Sequence, residues 1–216
     1  MRFNSRDLQG QVRANAHFQS KQNTYFQRYI EWLEKNQPAT PAARSISIIA
    51  RSPVSPIMLA MQSAATDLQN QHVSVRVVFS DVDPEKALRS AWHAISMLAP
   101  NQQHVDLVRW ANSPAILEAH EQVIMGEHMC WLGDAMRREP GRRDAFDIFE
   151  ANAPKTCLLG LKSYARMWQH ARPVPKWLLQ DTNDHQQGAS YAGPDPRALA
   201  TLSFFRQLEK PDTLCH

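Results

Sequence analysis

The chain has 216 residues, of which 43% are hydrophobic, and a formal net charge of +3. Its length and hydrophobic content exclude an intrinsically disordered protein and allow one domain with a substantial core and some additions. The charge excess is too small to indicate a non-specific nucleic-acid binder, and no apolar run approaches the ~20 residues that a membrane helix needs.

The N-terminus and the cysteines indicate a cytoplasmic protein. The first seven residues include Arg2, Asn4 and Arg6 and lack the apolar core of a signal peptide. The three cysteines form no Cys-x-x-C pair, so we expect reduced thiols rather than a zinc site or a disulfide framework. The sequence contains no phosphate-binding glycine loop, Gly-x-Ser-x-Gly or His-Glu-x-x-His motif, and we expect no metal and no cofactor.

Residues 1–40 are predicted to form an N-terminal helical arm. Between residues 5 and 35, apolar side chains recur at mixed spacings of three and four, which is typical of a helix with one buried face. The residues at these spacings are Leu8, Val12, Phe18, Tyr25, Phe26, Tyr29, Ile30 and Leu33. Two interpretations stay open, a helix that packs on its own domain and a helix that binds a partner or a second copy. Residues 36–44 contain two prolines and are predicted to be a linker.

Residues 41–180 alternate between predicted strands and predicted helices. The strands are predicted at residues 45–50, 73–79 and 105–110, and the helices at residues 57–71, 85–98 and 113–118. Strands and helices that alternate at this interval predict right-handed βαβ units, and therefore a largely parallel sheet covered by helices. The predicted fold class is α/β.

The second half of this region is predicted to add a hairpin at residues 120–134, a strand at 145–150 and a helix at 154–171. The residues predicted to face inward from that helix are Cys157, Leu158, Leu161, Tyr164, Ala165 and Trp168. Residues 181–216 are predicted to be a polar loop followed by a C-terminal helix. The predicted boundaries are therefore 1–40, 41–180 and 181–216.

The polar residues of the predicted hairpin form the candidate site. His120 and Gln122 are two residues apart, so their side chains point to the same face of a strand. Gly126 and Glu127 lie between two apolar runs, where a turn is expected.

This spacing resembles the motif of the phospholipase D-like superfamily, which is His-x-Lys-x-x-x-x-Asp followed by Gly-Ser. The corresponding positions hold His120, Gln122, Glu127 and Gly133-Asp134. The order of predicted elements over residues 43–173 is also similar to one half of that fold. The resemblance implies a single degenerate half, with an α/β sheet, flanking helices and additional helical segments at both ends.

The resemblance also implies a chemistry, because two histidines of that family, one from each half, act on a phosphodiester as nucleophile and acid. Here it implies that His120 takes either role and that Glu127 orients a histidine. Gln122 can contact the ligand but lacks the charge of the lysine, and Asp134 adds negative charge near a phosphate. We therefore expect an eroded site in a non-catalytic binding or regulatory protein. The alternatives are a weak phosphodiesterase or nuclease formed across a homodimer, and a His120 that has no chemical role.

Four arginines follow the hairpin and are candidates for ligand binding, namely Arg137, Arg138, Arg142 and Arg143. One interpretation is an anion-binding loop, since guanidinium groups suit bidentate phosphate contact. The other is a solvated loop, which Glu139 and Asp144 partly neutralise. The first interpretation predicts a homodimer that binds a phosphate-bearing ligand or single-stranded nucleic acid, more weakly as salt rises.

Overall fold

The computed structural model describes residues 5–111, 120–133 and 147–180 of the chain. The helices of this part are α1 Ser5–Asn36, α2 Pro56–Ser63, α3 Ala65–Asn70, α4 Glu85–Leu98, α5 Pro154–His170 and α6 Lys176–Leu179. The strands are β1 Ser45–Ala50, β2 Ser74–Phe79, β3 Val108–Trp110, β4 Glu121–Met125, β5 Met129–Gly133, β6 Asp147–Glu150 and β7 Arg172–Pro173.

The described strands form one mixed sheet in the order β6-β5-β4-β1-β2-β3-β7. The pairs β1–β2 and β2–β3 are parallel and are connected by helices, which confirms the predicted α/β class. The remaining pairs of the described strands are antiparallel, so the prediction of a largely parallel sheet is wrong. Two additions cause the difference. The hairpin β4–β5 adds to the open edge of β1 in the antiparallel direction, and β7 adds to β3 in the same way at the other side of the sheet.

One face of the sheet carries the main core. Helices α1, α2, α4 and α6 cover it, and Ile46, Ile48, Val75 and Val77 of β1 and β2 point into it. From the second half of α1, the buried residues are Tyr25, Phe26, Tyr29, Ile30 and Leu33. This half of the helix therefore packs on its own domain. Its buried residues follow the helical repeat that the sequence pattern predicts.

Polar contacts also hold α1 against the sheet. Asp147 of β6 accepts hydrogen bonds from the Lys21 ammonium (2.6 Å), the Tyr25 hydroxyl (3.3 Å) and the Trp131 indole N–H (2.6 Å). The Tyr25 ring stacks on Phe149, with centroids 4.2 Å apart. The carboxylate raises the pKa of Lys21, because the hydrogen bond and the opposite charge favour the ammonium.

The opposite face is covered by α5, which contacts β1, β4 and β5. Beneath it lie two smaller apolar clusters, one around Cys130 and Cys157 and the other around Tyr164. Leu158 and Ala165 were predicted to face inward and are exposed. The contact face of the helix instead follows Cys157, Gly160 and Tyr164 at spacings of three and four.

Two further boundaries differ from the prediction. The predicted helix at 57–71 is divided at Ala64 into α2 and α3. The third strand begins at Val108, since His104–Asp106 form a 3₁₀ turn. The predicted helices at 113–118 and within 181–216 lie outside the described residues.

Gly126 forms the turn between β4 and β5. Its φ is +60°, in the left-handed region that favours glycine, and a Cβ at this position would lie 2.9 Å from the Ala43 carbonyl oxygen. Its N–H donates to the Ser45 carbonyl (2.8 Å), while the Tyr29 hydroxyl donates to the Ala43 carbonyl (2.7 Å). The turn therefore joins the hairpin to the start of β1 and to α1.

We predict that Gly126→Ala lowers the free energy of unfolding by about 1–2 kcal/mol or more, because a side chain disfavours the left-handed region and meets the Ala43 backbone. Chemical denaturation measures the change. Glu127→Ala in the same turn is the matched control and should stay within roughly 0.5 kcal/mol of the unsubstituted protein. Equal stability of the two variants would contradict the role given to this turn.

Candidate functional site

The candidate site lies where β4 begins, beside the carboxyl end of β1. His120 immediately precedes β4 and is exposed. Because β4 is antiparallel to β1, with Gln122 opposite Ile49, His120 lies at the sheet edge where the parallel strands β1 and β2 end. In α/β sheets, this edge is the common position of ligand sites.

Gln122 points toward α5 and takes part in the packing of that helix. Its side chain is buried, with 8% exposure, and its Nε2 donates a hydrogen bond to the Gly160 carbonyl oxygen at 3.2 Å. A Cβ at Gly160 would lie 2.8 Å from Ile124 Cδ1 and 3.4 Å from Gln122 Nε2. The absence of a side chain at Gly160 therefore lets α5 approach β4 closely enough for this bond.

Glu127 lies in the hairpin turn and is exposed. The five residues of β4 and Gly126 separate it from His120, so at ~3.3 Å per residue the two are on the order of 20 Å apart. Within one chain, the structure brings His120 near Gln122 and keeps Glu127 at the other end of the strand.

A buried polar network supports the sheet edge next to His120. Glu121 is 1% exposed, and its Oε1 accepts a hydrogen bond from the Arg51 backbone N–H at 3.0 Å. The Arg51 carbonyl accepts from the Ser80 hydroxyl (3.0 Å), and the Ser80 carbonyl accepts from the Trp110 indole N–H (3.2 Å). Sequence reasoning missed Glu121, although its alternation with Val123 and Met125 places it on the core face of β4.

Two adjoining grooves follow α5 on the side of Gln122. One, of about 230 Å³, is lined by residues that include Gln122, Cys130 and Gly160. The other, of about 460 Å³, is lined among the described residues by Leu159, Lys162, Ser163, Arg166, Met167 and His170. Both include Leu159 and Ser163, so the grooves meet near the middle of the helix.

Two cationic side chains line this groove. Lys162 and Arg166 are four residues apart and share one helical face, and His170 lies on the same face one turn further on. The sequence of α5 contains no aspartate or glutamate to neutralise them. Sequence reasoning missed Lys162 and Arg166 and gave His170 only a structural role at the end of the helix. Their i, i+4, i+8 spacing is the signal that could have grouped the three.

Arginines also surround the C-terminal end of α5. The Arg109 guanidinium lies 4.6 Å from the Trp168 ring centroid and donates to the Trp168 and Ala171 carbonyl oxygens, at 2.9 and 3.4 Å. Arg76 lies 6.0 Å from the same ring. Cations favour a helix C-terminus, so Arg109 stabilises the end of α5.

Asp134, Arg137, Arg138, Arg142 and Arg143 lie outside the described residues, and the anion-binding loop stays a prediction. In the part that the structure describes, no cluster of three or more His, Cys, Asp or Glu side chains could hold a metal ion. No helix in that part of the chain is long and apolar enough to cross a membrane.

Comparison with known proteins gives one structural similarity. No protein-family model matches the chain, and no curated protein is similar to it. The crystal structure of a phospholipase D family member, Nuc from Salmonella typhimurium, is similar at 16% sequence identity and a TM-score of 0.43. The similarity covers 61% of this chain and 82% of that chain. A likeness of this degree assigns neither activity nor residue roles to this chain.

We predict that Gln122→Glu makes stability depend on pH. The new carboxylate would be buried and would face the Gly160 carbonyl, which raises its pKa in the folded state above the unfolded value of about 4.3. At pH 4 the variant should therefore unfold near the temperature of the unsubstituted protein, and at pH 7 several degrees lower. The reason is that the cost of burying the ionised carboxylate appears as pH rises through the unfolded pKa.

Gln122→Leu is the control for this experiment. It removes the donor without adding charge and should cost about 0.5–1.5 kcal/mol at both pH values. Thermal unfolding of the two variants and the unsubstituted protein gives the comparison. A Gln122→Glu variant that loses no stability between pH 4 and pH 7 would show that this side chain does not face the helix carbonyl.

Proposed function

We propose that this protein is a phospholipase D-like domain with an eroded phosphodiesterase site that binds a phosphate-bearing ligand without cleaving it. One observation carries the proposal: at the position of the family's lysine, the amide of Gln122 is buried and hydrogen-bonded to the Gly160 carbonyl. The loss of a charged side chain that contacts the phosphate removes on the order of 2–4 kcal/mol of transition-state stabilisation. An amide that supports α5 cannot supply it.

The groove along α5 supports binding. Lys162 and Arg166 are exposed and lie beside the apolar side chains of Leu159 and Met167. Among the described residues, one helical face of α5 lines this open groove. Its chemistry fits a phosphate group that is attached to an apolar or aromatic body, which is the chemistry of a nucleotide, either free or at the end of a nucleic-acid strand.

The second candidate function is a weak phosphodiesterase or nuclease with its site across a homodimer. It is favoured by the position of His120, which is exposed at the sheet edge. A two-fold axis near this edge would place the same histidine of each copy opposite the other. In that arrangement Arg137, Arg138, Arg142 and Arg143 would rim a shared groove and attract anions.

We predict that a Lys162→Ala, Arg166→Ala double variant binds a 5′-phosphorylated oligonucleotide about tenfold more weakly or worse, because two charge-assisted contacts are removed. Fluorescence anisotropy at two salt concentrations measures the affinity, which should fall as salt rises. Lys155→Ala with Lys176→Ala removes the same charge outside the larger groove and should change affinity little.

Further measurements in this titration distinguish the possible ligands and binding regions. Competition by AMP and by inorganic phosphate distinguishes a site for a free nucleotide from a site for the end of a strand. If affinity falls only in the Arg142→Ala, Arg143→Ala double variant, the predicted anion-binding loop binds the ligand instead of α5. Binding that none of these substitutions changes would contradict phosphate recognition by either region.

We predict no hydrolysis of bis(p-nitrophenyl) phosphate or of DNA above a buffer control, because Gln122 supplies no charge to the phosphate. His120→Ala should leave that background unchanged. Hydrolysis by the unsubstituted protein that disappears in His120→Ala would instead favour the second candidate. Sedimentation of the same samples would then show whether the active species is a dimer.

A further inference from the structure

The fold brings together two cysteines that are distant in the sequence. Cys130 in β5 and Cys157 in α5 are 3% and 0% exposed and belong to one apolar cluster. Their thiols are close enough for each to affect the pKa of the other. The sequence alone predicted unpaired thiols, because the spacing of the cysteines does not show that α5 returns over β5.

Backbone contacts on both sides fix this pairing. One turn before Cys157, the Ala153 N–H donates to the His128 carbonyl at 2.8 Å, which fixes the start of α5 beside β5. About one turn after Cys157, Gly160 lies against Ile124, the residue paired with Cys130 in the sheet. Cys157 is therefore held over Cys130 between two close contacts.

The two thiols differ in their access to solvent. Cys130 lines the smaller groove beside α5, whereas Cys157 is fully enclosed. A small oxidant that enters the groove would meet Cys130 first. Cys157 would then be the only thiol, among the described residues, in a position to react with an oxidised Cys130.

We propose that Cys130 and Cys157 are a redox modification site that hydrogen peroxide or a similar hydroperoxide converts to an intramolecular disulfide. The Cys130 thiolate attacks one peroxide oxygen and breaks the O–O bond, which gives a sulfenic acid and hydroxide. The Cys157 thiolate then attacks the Cys130 sulfur, forms the S–S bond and expels the second hydroxide. The thiol protons convert both hydroxides to water, so two thiols lose two electrons to one peroxide.

The disulfide would tie α5 covalently to β5 next to the groove. Burial raises the pKa of both thiols, that of Cys157 to about 12, so little thiolate is present at neutral pH. The reaction should therefore be slow at pH 7 and speed up about tenfold per pH unit toward pH 9. A rate that does not change with pH would contradict attack by a thiolate.

The test uses the full chain, treated with hydrogen peroxide in the native state, quenched, denatured and alkylated with N-ethylmaleimide. Intact mass should show two of the three cysteines protected and two hydrogen atoms lost. Peptide mapping should identify a link between Cys130 and Cys157. Cys215→Ser should keep this link, and Cys157→Ala should convert it to an oxidised Cys130 without a link.

The oxidised protein should also unfold at a temperature several degrees higher, because the cross-link restricts the unfolded chain. Three alkylated cysteines after peroxide treatment would overturn the proposal. So would a Cys130 that stops at sulfinic acid in the unsubstituted protein, or a link that uses Cys215. These readings come from the unsubstituted protein and do not depend on whether a cysteine variant folds.

Discussion

The close approach of α5 to β4 at Gly160 is the constraint on which the candidate site depends. Because Gly160 has no Cβ, the helix lies against Ile124, and its carbonyl oxygen accepts the Gln122 amide at 3.2 Å. The same approach holds Cys157 over Cys130 and leaves the groove along the exposed side of the helix. The Gln122 amide is therefore part of the helix–sheet packing, which is the observation on which the proposal of a non-catalytic site rests.

Much of the fold could be predicted from local patterns. The strand at 45–50, the helix at 85–98 and the hairpin follow from β-branched runs, a 3.6-residue repeat and a glycine turn. The order of strands in the sheet could not be predicted in this way. The local sequence of the hairpin does not determine which edge of the sheet it joins, or whether it joins parallel or antiparallel. The inward face of α5 was misassigned at Leu158 for a similar reason, since the close contact of Gly160 with β4 selects the face.

The place of the candidate residues in the hairpin was predictable from the sequence, whereas their contacts were not. The spacing of His120 and Gln122 predicted one face of one strand. In the structure Gln122 lies in β4, and His120 immediately precedes it, at the carboxyl edge of the parallel strands. The roles depend on contacts between residues far apart in the sequence. The bond from Gln122 to Gly160, the burial of Glu121 against Arg51 and the pairing of Cys130 with Cys157 all require the tertiary fold. By contrast, the i, i+4, i+8 spacing of Lys162, Arg166 and His170 can be read from the sequence.

We propose that the Gln122 amide supports the helix while cations of α5 contact phosphate. Nuclear magnetic resonance tests this directly, by following the Gln122 Nε2 and Arg166 Nε resonances during one titration with inorganic phosphate. We expect the Arg166 signal to shift with saturation, while the Gln122 amide exchanges slowly with solvent and keeps its position. A Gln122 signal that shifts with the same midpoint as Arg166, or that shifts alone, would instead place phosphate on the amide.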